Sequence, residues 1–331
     1  MPIAQINPEA MIHKSLPMVD VLRDGGFEVK YPSNGELARG VCTEDELIKE
    51  LAGISAVVAT AEQYTERVIA SLPDLRVIAR AGVGYDGVNV DAATKHNVAV
   101  TITPTANHAA VAELALALLF ATTKRIVDGH RKVIGGQWPR APLTPIRGKT
   151  LGIFGLGRIG RSMAVRSQAL GMKVIATEQF PDETFVRDNG IELVDFKSLL
   201  KQSDFITIHS PLTDETRGLF NRDAFSKMKR GSILINSARG PIVVESDLLD
   251  ALKSGQLDAA GLDVFEQEPP SKDNPLFQLD NVVVSPHIAG ADVLSLEQMG
   301  TEAAQCIAKL YRGEWPEGAV VNDSLRDGWS W

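Results

Sequence analysis

The stretch Thr150-Leu-Gly-Ile-Phe-Gly155-Leu-Gly157-Arg158-Ile159-Gly160 constrains this chain more than any other. A short apolar run leads into three glycines spaced G-x-G-x-x-G. A helical pattern follows over Arg161–Ala169, then a second apolar run over Lys173–Thr177, closed by Glu178. A strand, a tight turn, a helix and a parallel strand meet these requirements together. Gly155 permits the turn, Gly157 lets backbone approach a pyrophosphate, and Gly160 allows close helix–strand packing. The N–H groups at the helix start attract phosphate charge. Glu178, 18 positions past Gly160, is placed to accept hydrogen bonds from adenosine ribose hydroxyls. Its carboxylate repels a 2′-phosphate, so the cofactor expected is NAD rather than NADP.

The same alternation runs through most of the 331 residues. Strands are expected at Ile3–Ile6, Ser55–Ala59, Leu75–Ala79 and Val98–Ile102. A second series covers Thr150–Gly155, Lys173–Thr177, Asp204–His209, Ser232–Asn236, Ala259–Val264 and Val282–Ser285. Helical patterns lie between them, including Glu44–Leu51, Glu62–Ser71, Ser198–Gln202 and Glu245–Ser254, and a further one covers Asp292–Arg312. Strands this uniformly apolar are buried on both faces, which means parallel sheets covered by helices. The fold class expected is α/β, with two doubly wound parallel-sheet domains. A discontinuous first domain is expected over 1–101 and 288–331, and a nucleotide-binding domain over 102–287.

Composition narrows the function classes. Asp plus Glu is 42 against 34 Lys plus Arg, a net charge of −8, with no basic run. That argues against nucleic acid or anionic membrane as partners, since both need a cationic face. No apolar run reaches the roughly 20 residues of a membrane span. The N-terminus has no signal pattern, and the two cysteines, Cys42 and Cys306, exclude a disulfide framework. A cytoplasmic location is expected. His13, His96, His108 and His130 show no paired ligand spacing, and no metal site is expected.

Three polar residues follow apolar strands, at the carboxyl edge where ligands of open α/β sheets bind. They are Arg239, Glu268 and His287. An arginine can grip a carboxylate and polarise a carbonyl. A histidine can deliver a proton as hydride arrives from a nicotinamide, and a carboxylate can keep it charged and oriented. Three surface charges that merely follow strands would show the same spacing, and spacing alone does not separate the two readings.

Longer matches carry a resemblance. Arg80-Ala-Gly-Val-Gly-Tyr-Asp86, Asn107 to Glu113, Gly155–Gly160, His209-Ser-Pro-Leu-Thr213 with Thr216, Asn236-Ser-Ala-Arg-Gly240, Leu262-Asp-Val-Phe-Glu-Gln-Glu-Pro269 and Ser285-Pro-His-Ile-Ala-Gly290 occur in order. Together they resemble the D-isomer-specific 2-hydroxyacid dehydrogenase family over essentially the whole chain. The resemblance implies a Rossmann NAD domain inserted in a flavodoxin-like substrate domain, a cleft between them, and a homodimer formed through the cofactor domain. The implied substrate is a small D-2-hydroxy acid or its 2-keto acid. Arg239, Glu268 and His287 are implied as the catalytic set. Arg80, the amides around Val83 and Gly84, Asn107, Arg239 and His287 are implied to hold substrate, with Asn107 also near the nicotinamide. Gly155, Gly157, Arg158, Ile159, Gly160 and Glu178 are implied for the cofactor. So are His209, Pro211 and Thr216 on the adenosine side, Asp263 at the carboxamide, and Ala238, Ala289 and Gly290 around it.

Within the family the chain is most similar to the D-3-phosphoglycerate dehydrogenase branch. It departs from that branch at Ala59, where those enzymes place a phosphate-binding arginine, and at Glu62, expected to repel a phosphate. Glyoxylate or hydroxypyruvate reduction is the alternative on the same chemistry. A formate-type enzyme is disfavoured, because it resembles this family but carries Gln where Glu268 stands. A different class, an NAD-binding corepressor or redox sensor, would not need the intact trio. The sequence ends at Trp331, and the serine-binding regulatory domain of longer relatives is expected to be absent.

Overall fold

The computed structural model describes residues 1–12, 16–37 and 41–331, so His13 lies outside the described residues. Two compact units partition the chain at Asn107/His108 and Ala289/Gly290. Met1–Asn107 with Gly290–Trp331 form the first, and His108–Ala289 form the second.

The first unit is built on β1 (Ile3–Ile6), β2 (Glu28–Lys30), β3 (Ala56–Ala59), β4 (Val77–Arg80) and β5 (Ala99–Thr101). They form a fully parallel sheet in the order β2-β1-β3-β4-β5, the flavodoxin-like arrangement. Four of its helices start where a side chain satisfies free amides, and one starts on a proline that has none to satisfy. In α2 (Glu44–Glu50) Thr43 accepts from Glu46 N–H while Glu46 reaches back to Thr43, a reciprocal cap. Thr65 caps α3 (Glu66–Ala70), Asn89 caps α4 (Val90–Lys95), and Pro17 opens α1 (Pro17–Asp24). The long α12 (Val293–Tyr311), capped by Asp292, returns to pack on α1 and on the sheet. Alternate strand residues divide between two cores. Val77 and Ala79 face the α1/α12 layer, and Ile78 faces the α2–α4 layer.

The second unit opens with α5 (His108–Thr123) and α6 (Ile126–Ile134). Its strands are β6 (Thr150–Phe154), β7 (Lys173–Thr177), β8 (Glu192–Leu193), β9 (Phe205–Ile208), β10 (Ser232–Asn236), β11 (Leu257–Leu262) and β12 (Val282–Val284). The order β12-β11-β10-β9-β6-β7-β8 places β6 and β9 side by side at the centre, the crossover point of a Rossmann sheet. Its helices are α7 (Arg158–Ala169), α8 (Glu183–Asp188), α9 (Phe196–Gln202), α10 (Arg222–Lys227) and α11 (Glu245–Lys253). Ile233, Ile235 and Ala259 pack on the α5/α7 face, while Leu234, Ala260 and Leu262 pack on the other. Among the described residues no helix is long and apolar enough to cross a membrane.

Three differences from the expected elements have physical causes. β2 and β8 are short edge strands carrying Glu28, Lys30 and Glu192, so no apolar run marks them. β11 runs Leu257–Leu262 rather than Ala259–Val264, because its ladder with β10 ends at the Asn236–Leu262 pair. Val264 and Phe265 are buried beyond the ladder and so mimic strand residues. Finally, α3 starts at Glu66, because Thr65 caps it and Glu62 belongs to the preceding loop.

Close packing between α5 and β11 leaves a readable test. A Cβ on Gly261 would lie 2.8 Å from Ile235 Cδ1 and 2.9 Å from Leu118 Cβ, whereas one on Gly129 in α6 would meet nothing within 4 Å. Gly261→Ala should lower stability by about 1–3 kcal/mol. Gly129→Ala should be neutral or stabilising by up to ~1 kcal/mol. Thermal unfolding of the two variants checks this ordering.

Candidate active site

The glycine turn joins β6 to α7. Gly155 has φ +96°, a backbone conformation that suits glycine, and a Cβ there would sit 2.7 Å from the His209 carbonyl carbon. A Cβ on Gly160 would lie 2.1 Å from Gly155 O, so α7 can approach the turn only without a side chain at that position. Gly157, the N-cap residue, faces open space, and Arg158 beside it is exposed. Ile159 is half-buried in the first turn of the helix. Crowding at the two outer glycines and clearance at the middle one leave the free helix amides accessible, which fits a dinucleotide pyrophosphate.

Glu178 immediately follows β7, and its carboxylate is already engaged. Oε2 accepts Leu156 N–H at 2.6 Å, and Oε1 accepts the Gln179 and Phe180 amides at 2.9 and 3.0 Å. It therefore pins the glycine turn as well as standing where ribose hydroxyls would bind, with Oε2 retaining capacity for a second donor. His209 follows β9. Its Nε2 lies 2.9 Å from Thr207 Oγ1, and burial pushes its pKa down to about 3, so it is neutral. Thr216 Oγ1 donates to Pro211 O at 2.8 Å and accepts Thr213 N–H at 2.8 Å, which closes the 211–216 loop.

Arg239, Glu268 and His287 follow β10, β11 and β12. Asn236 Oδ1 accepts Ala238 N–H at 3.0 Å and its Nδ2 donates to Arg239 O at 3.0 Å, fixing the turn that presents Arg239. The guanidinium donates to Ala238 O at 2.7 Å. The next residue, Gly240, packs so tightly on the following loop that a Cβ would lie 1.8 Å from Phe265 O. Phe265 N–H donates to Glu268 Oε1 at 2.9 Å, and Glu268 Oε2 lies 2.6 Å from His287 Nδ1. Burial pushes the Glu268 carboxyl up. The His287 hydrogen bond and charge, the Phe265 amide and the Arg239 guanidinium outweigh that and hold it below the usual carboxylate range.

Asp263 is fully buried at the end of β11. Oδ1 accepts Ser285 Oγ–H at 2.6 Å and Ile288 N–H at 3.1 Å, and Oδ2 accepts Ala289 N–H at 2.9 Å. Its own carbonyl accepts His287 N–H at 2.8 Å. His287 has φ +52°, an uncommon conformation for a residue with a side chain, held by these four bonds. Sequence reasoning placed Asp263 at a cofactor carboxamide. The structure adds its role in bracing the 285–289 turn.

The remaining site residues lie in the first unit. Arg80 Nε donates to Gly84 O at 3.0 Å, and Val83 at the tip of this loop is 39% exposed. Asn107 Oδ1 is buried without a hydrogen-bond partner, and Asn107 lies so near Gly290 that a Cβ there would be 2.8 Å from Asn107 Nδ2. Glu62, expected to face a substrate phosphate, is instead 1% exposed and turned inward, and Ala59 is fully buried. Neither touches solvent, so direct repulsion by Glu62 is corrected. Asn236, Ser285 and Gly240 escaped sequence reasoning as positioning residues. Asn236 and Gly240 close the quoted Asn236–Gly240 motif, and that adjacency was the available signal.

Comparison with known proteins follows the same lines. Residues 116–289 match the family described as "D-isomer specific 2-hydroxyacid dehydrogenase, NAD binding domain". A D-3-phosphoglycerate dehydrogenase of Archaeoglobus fulgidus is 41% identical over 93% of this chain, which spans 58% of that relative's length. A glyoxylate reductase of Pyrococcus horikoshii is 35% identical over 97% of this chain and 98% of its own. The solved structure of an NAD-dependent formate dehydrogenase from Staphylococcus aureus in complex with NAD superposes with a TM-score of 0.82 at 27% identity, covering 97% of this chain and 99% of that one.

The glycine geometry separates two effects. Gly160→Ala should destabilise the protein, because its Cβ has no room. Gly157→Val should cost only the ~1 kcal/mol of a poorer N-cap while weakening NADH binding at least ~10-fold, because its side chain occupies the phosphate approach. Calorimetric titration with NADH together with thermal unfolding reads both.

Proposed function

The chain belongs to the D-isomer-specific 2-hydroxyacid dehydrogenase family, and we propose that it interconverts a small D-2-hydroxy acid and its 2-keto acid with NAD as hydride carrier. The observation that supports this reading most directly is the 2.6 Å contact between His287 Nδ1 and Glu268 Oε2 on a turn held by a buried carboxylate. Bound NADH supplies the hydride, and the Gly155–Gly160 turn with Glu178 would hold it. Arg239 grips the substrate carboxylate with its planar fork and polarises the carbonyl. Glu268 holds a proton on Nδ1, so Nε2 is the nitrogen that donates to the carbonyl oxygen during reduction and accepts from the hydroxyl during oxidation. The amides around Val83 and Gly84 are assigned to the substrate carboxylate on the resemblance.

The chemistry of the substrate tail is open between two named activities among relatives, D-3-phosphoglycerate dehydrogenase and glyoxylate reductase. β3 ends in a buried Ala59 and a buried Glu62, and the neighbouring Arg80 is turned to Gly84 O, which favours unphosphorylated acids such as glyoxylate and hydroxypyruvate. A homodimer is part of the reading. Ile126, Val133, Ile134, Trp138 and Leu143 are exposed over one segment, as a subunit interface requires. Two free cysteines, one pushed up to about 11 by burial, suit a reducing cytoplasm.

NADH oxidation against glyoxylate, hydroxypyruvate and 3-phosphohydroxypyruvate tests the reading. Turnover with at least one is expected, with NADH preferred over NADPH because of Glu178. His287→Gln should cost at least ~10²-fold in the chemical step. Glu268→Gln should slow the chemical step at least ~10-fold with NADH affinity unchanged, because it removes the carboxylate that lies 2.6 Å from the His287 ring and orients it. An unchanged rate in that variant would contradict the pairing, and NADH binding without any turnover would favour a corepressor or sensor.

A further inference from the structure

Among the large apolar side chains of the second unit Phe180 is the most exposed, at 83%, and its ring joins neither of that unit's cores. An aromatic ring left in water forgoes the burial that a core gives it. Phe185 shows the alternative, packing against the core that holds Met163 and Ala164 of α7, with the Arg161 guanidinium 5.6 Å from its ring centroid. The backbone that carries Phe180 is nevertheless held at several points. Glu178 Oε1 accepts the Gln179 and Phe180 N–H groups at 2.9 and 3.0 Å, while Oε2 accepts Leu156 N–H at 2.6 Å. One carboxylate therefore ties the 179–180 backbone to the glycine turn. Pro181 follows and favours extended backbone at Phe180. Asp182 closes the loop: Oδ1 caps α8 by accepting Phe185 N–H at 3.0 Å, and Oδ2 pairs with Arg161 in the first turn of α7. Both ends of the 178–182 loop are thus fastened to the junction of the glycine turn and α7.

Topology sets the side of the turn on which this loop lies. In the order β9-β6-β7 the glycine turn after β6 is flanked by the Phe180 loop after β7 and by the 209–216 loop after β9. On the β9 side the chain crowds the turn, since a Cβ on Gly155 would lie 2.7 Å from Ser210 N. A ribose taken by Glu178 puts the adenosine half of NAD on the β7 side. The base is bonded directly to that ribose, so it reaches the residues just past Glu178. We propose that Phe180 is a stacking platform for the adenine of bound NAD, presented by the loop that Glu178 ties to the glycine turn. The inference rests on NAD as the cofactor and on Glu178 as the ribose acceptor, and not on the identity of the acid. A phenyl ring offers a π face and no hydrogen-bonding group, so the contact contributes affinity rather than choice of base. Because one carboxylate fixes both the turn and the Phe180 backbone, the ring stands in place before the cofactor arrives, which spares part of the ordering cost of binding.

Calorimetric titration of wild type, Phe180→Ala and Phe180→Trp with NADH and with ADP-ribose tests the proposal without turnover. Phe180→Ala should weaken both ligands by a like factor of at least ~5-fold, and Phe180→Trp, which keeps a π face, should stay within ~3-fold of wild type. Thermal unfolding of the unliganded variants should match wild type, because the ring belongs to no core. The indole introduced by Phe180→Trp should also be quenched when ADP-ribose binds, beyond any change in wild type. Unaltered ADP-ribose affinity in Phe180→Ala overturns the proposal, and so does an equal loss in Phe180→Trp, which marks damage to the loop rather than loss of a stack. Absence of the added quenching overturns it as well. A changed oligomeric mass by light scattering with unaltered nucleotide affinity overturns it and assigns Phe180 to a contact between copies of the chain. Wild type that binds neither NADH nor ADP-ribose would refute the cofactor assignment itself, and the stacking role with it.

Discussion

The buried carboxylate of Asp263 is the interaction on which the arrangement at the second unit's strand ends depends. A charge at zero exposure is costly unless its lone pairs are met by donors, and here Ser285, Ile288 and Ala289 meet them. Those donors all belong to one short turn, so satisfying the charge fixes the turn. The turn in turn holds His287 at positive φ, and that conformation brings its ring to Glu268. Asp263 N–H also donates to Asn236 O, the residue whose side chain shapes the Arg239 turn. One buried anion thereby ties together the ends of three adjacent strands.

Parallel topology explains why the functional residues gather at such ends. In β6, β7, β9, β10, β11 and β12 every carboxyl end points to the same edge, and each delivers a group there: the glycine turn, Glu178, His209, Arg239, Asp263 and the His287 turn. Glycine does the remaining work where backbones must meet. Gly160 lets α7 close on the turn, and Gly240 lets the Arg239 loop rest on Phe265. In both places the side chain is missing because another peptide group occupies its volume.

Much of this was legible in the sequence because the signals were local. Strand, glycine spacing, helix and Glu178 fall within 29 residues, and Arg239, Glu268 and His287 each follow a recognisable apolar run. Other features depend on contacts between distant segments. Glu62 reads as the first residue of a helix and as an acid that repels a phosphate, and only the folded loop before α3 shows it buried. Glu178 reads as a cofactor ligand, while its bond to Leu156 N–H needs the folded turn. β2 and β8 have no apolar run because edges carry charge, and α5 is apolar all round, so no periodicity marks its faces.

The central claim is that Asp263 acts by holding the proton donor in place. Single-turnover hydride transfer from saturating NADH to a 2-keto acid in Asp263→Asn tests it most directly, with NADH affinity measured on the same variant. An amide there puts one NH2 donor against either the Ala289 N–H or the Ser285 and Ile288 donors, so one side of the bracing is lost and the turn should loosen. The account predicts transfer slowed at least ~10²-fold with NADH affinity altered only a few-fold. Unchanged transfer together with a large loss of NADH affinity would contradict it, and would make Asp263 a cofactor ligand alone.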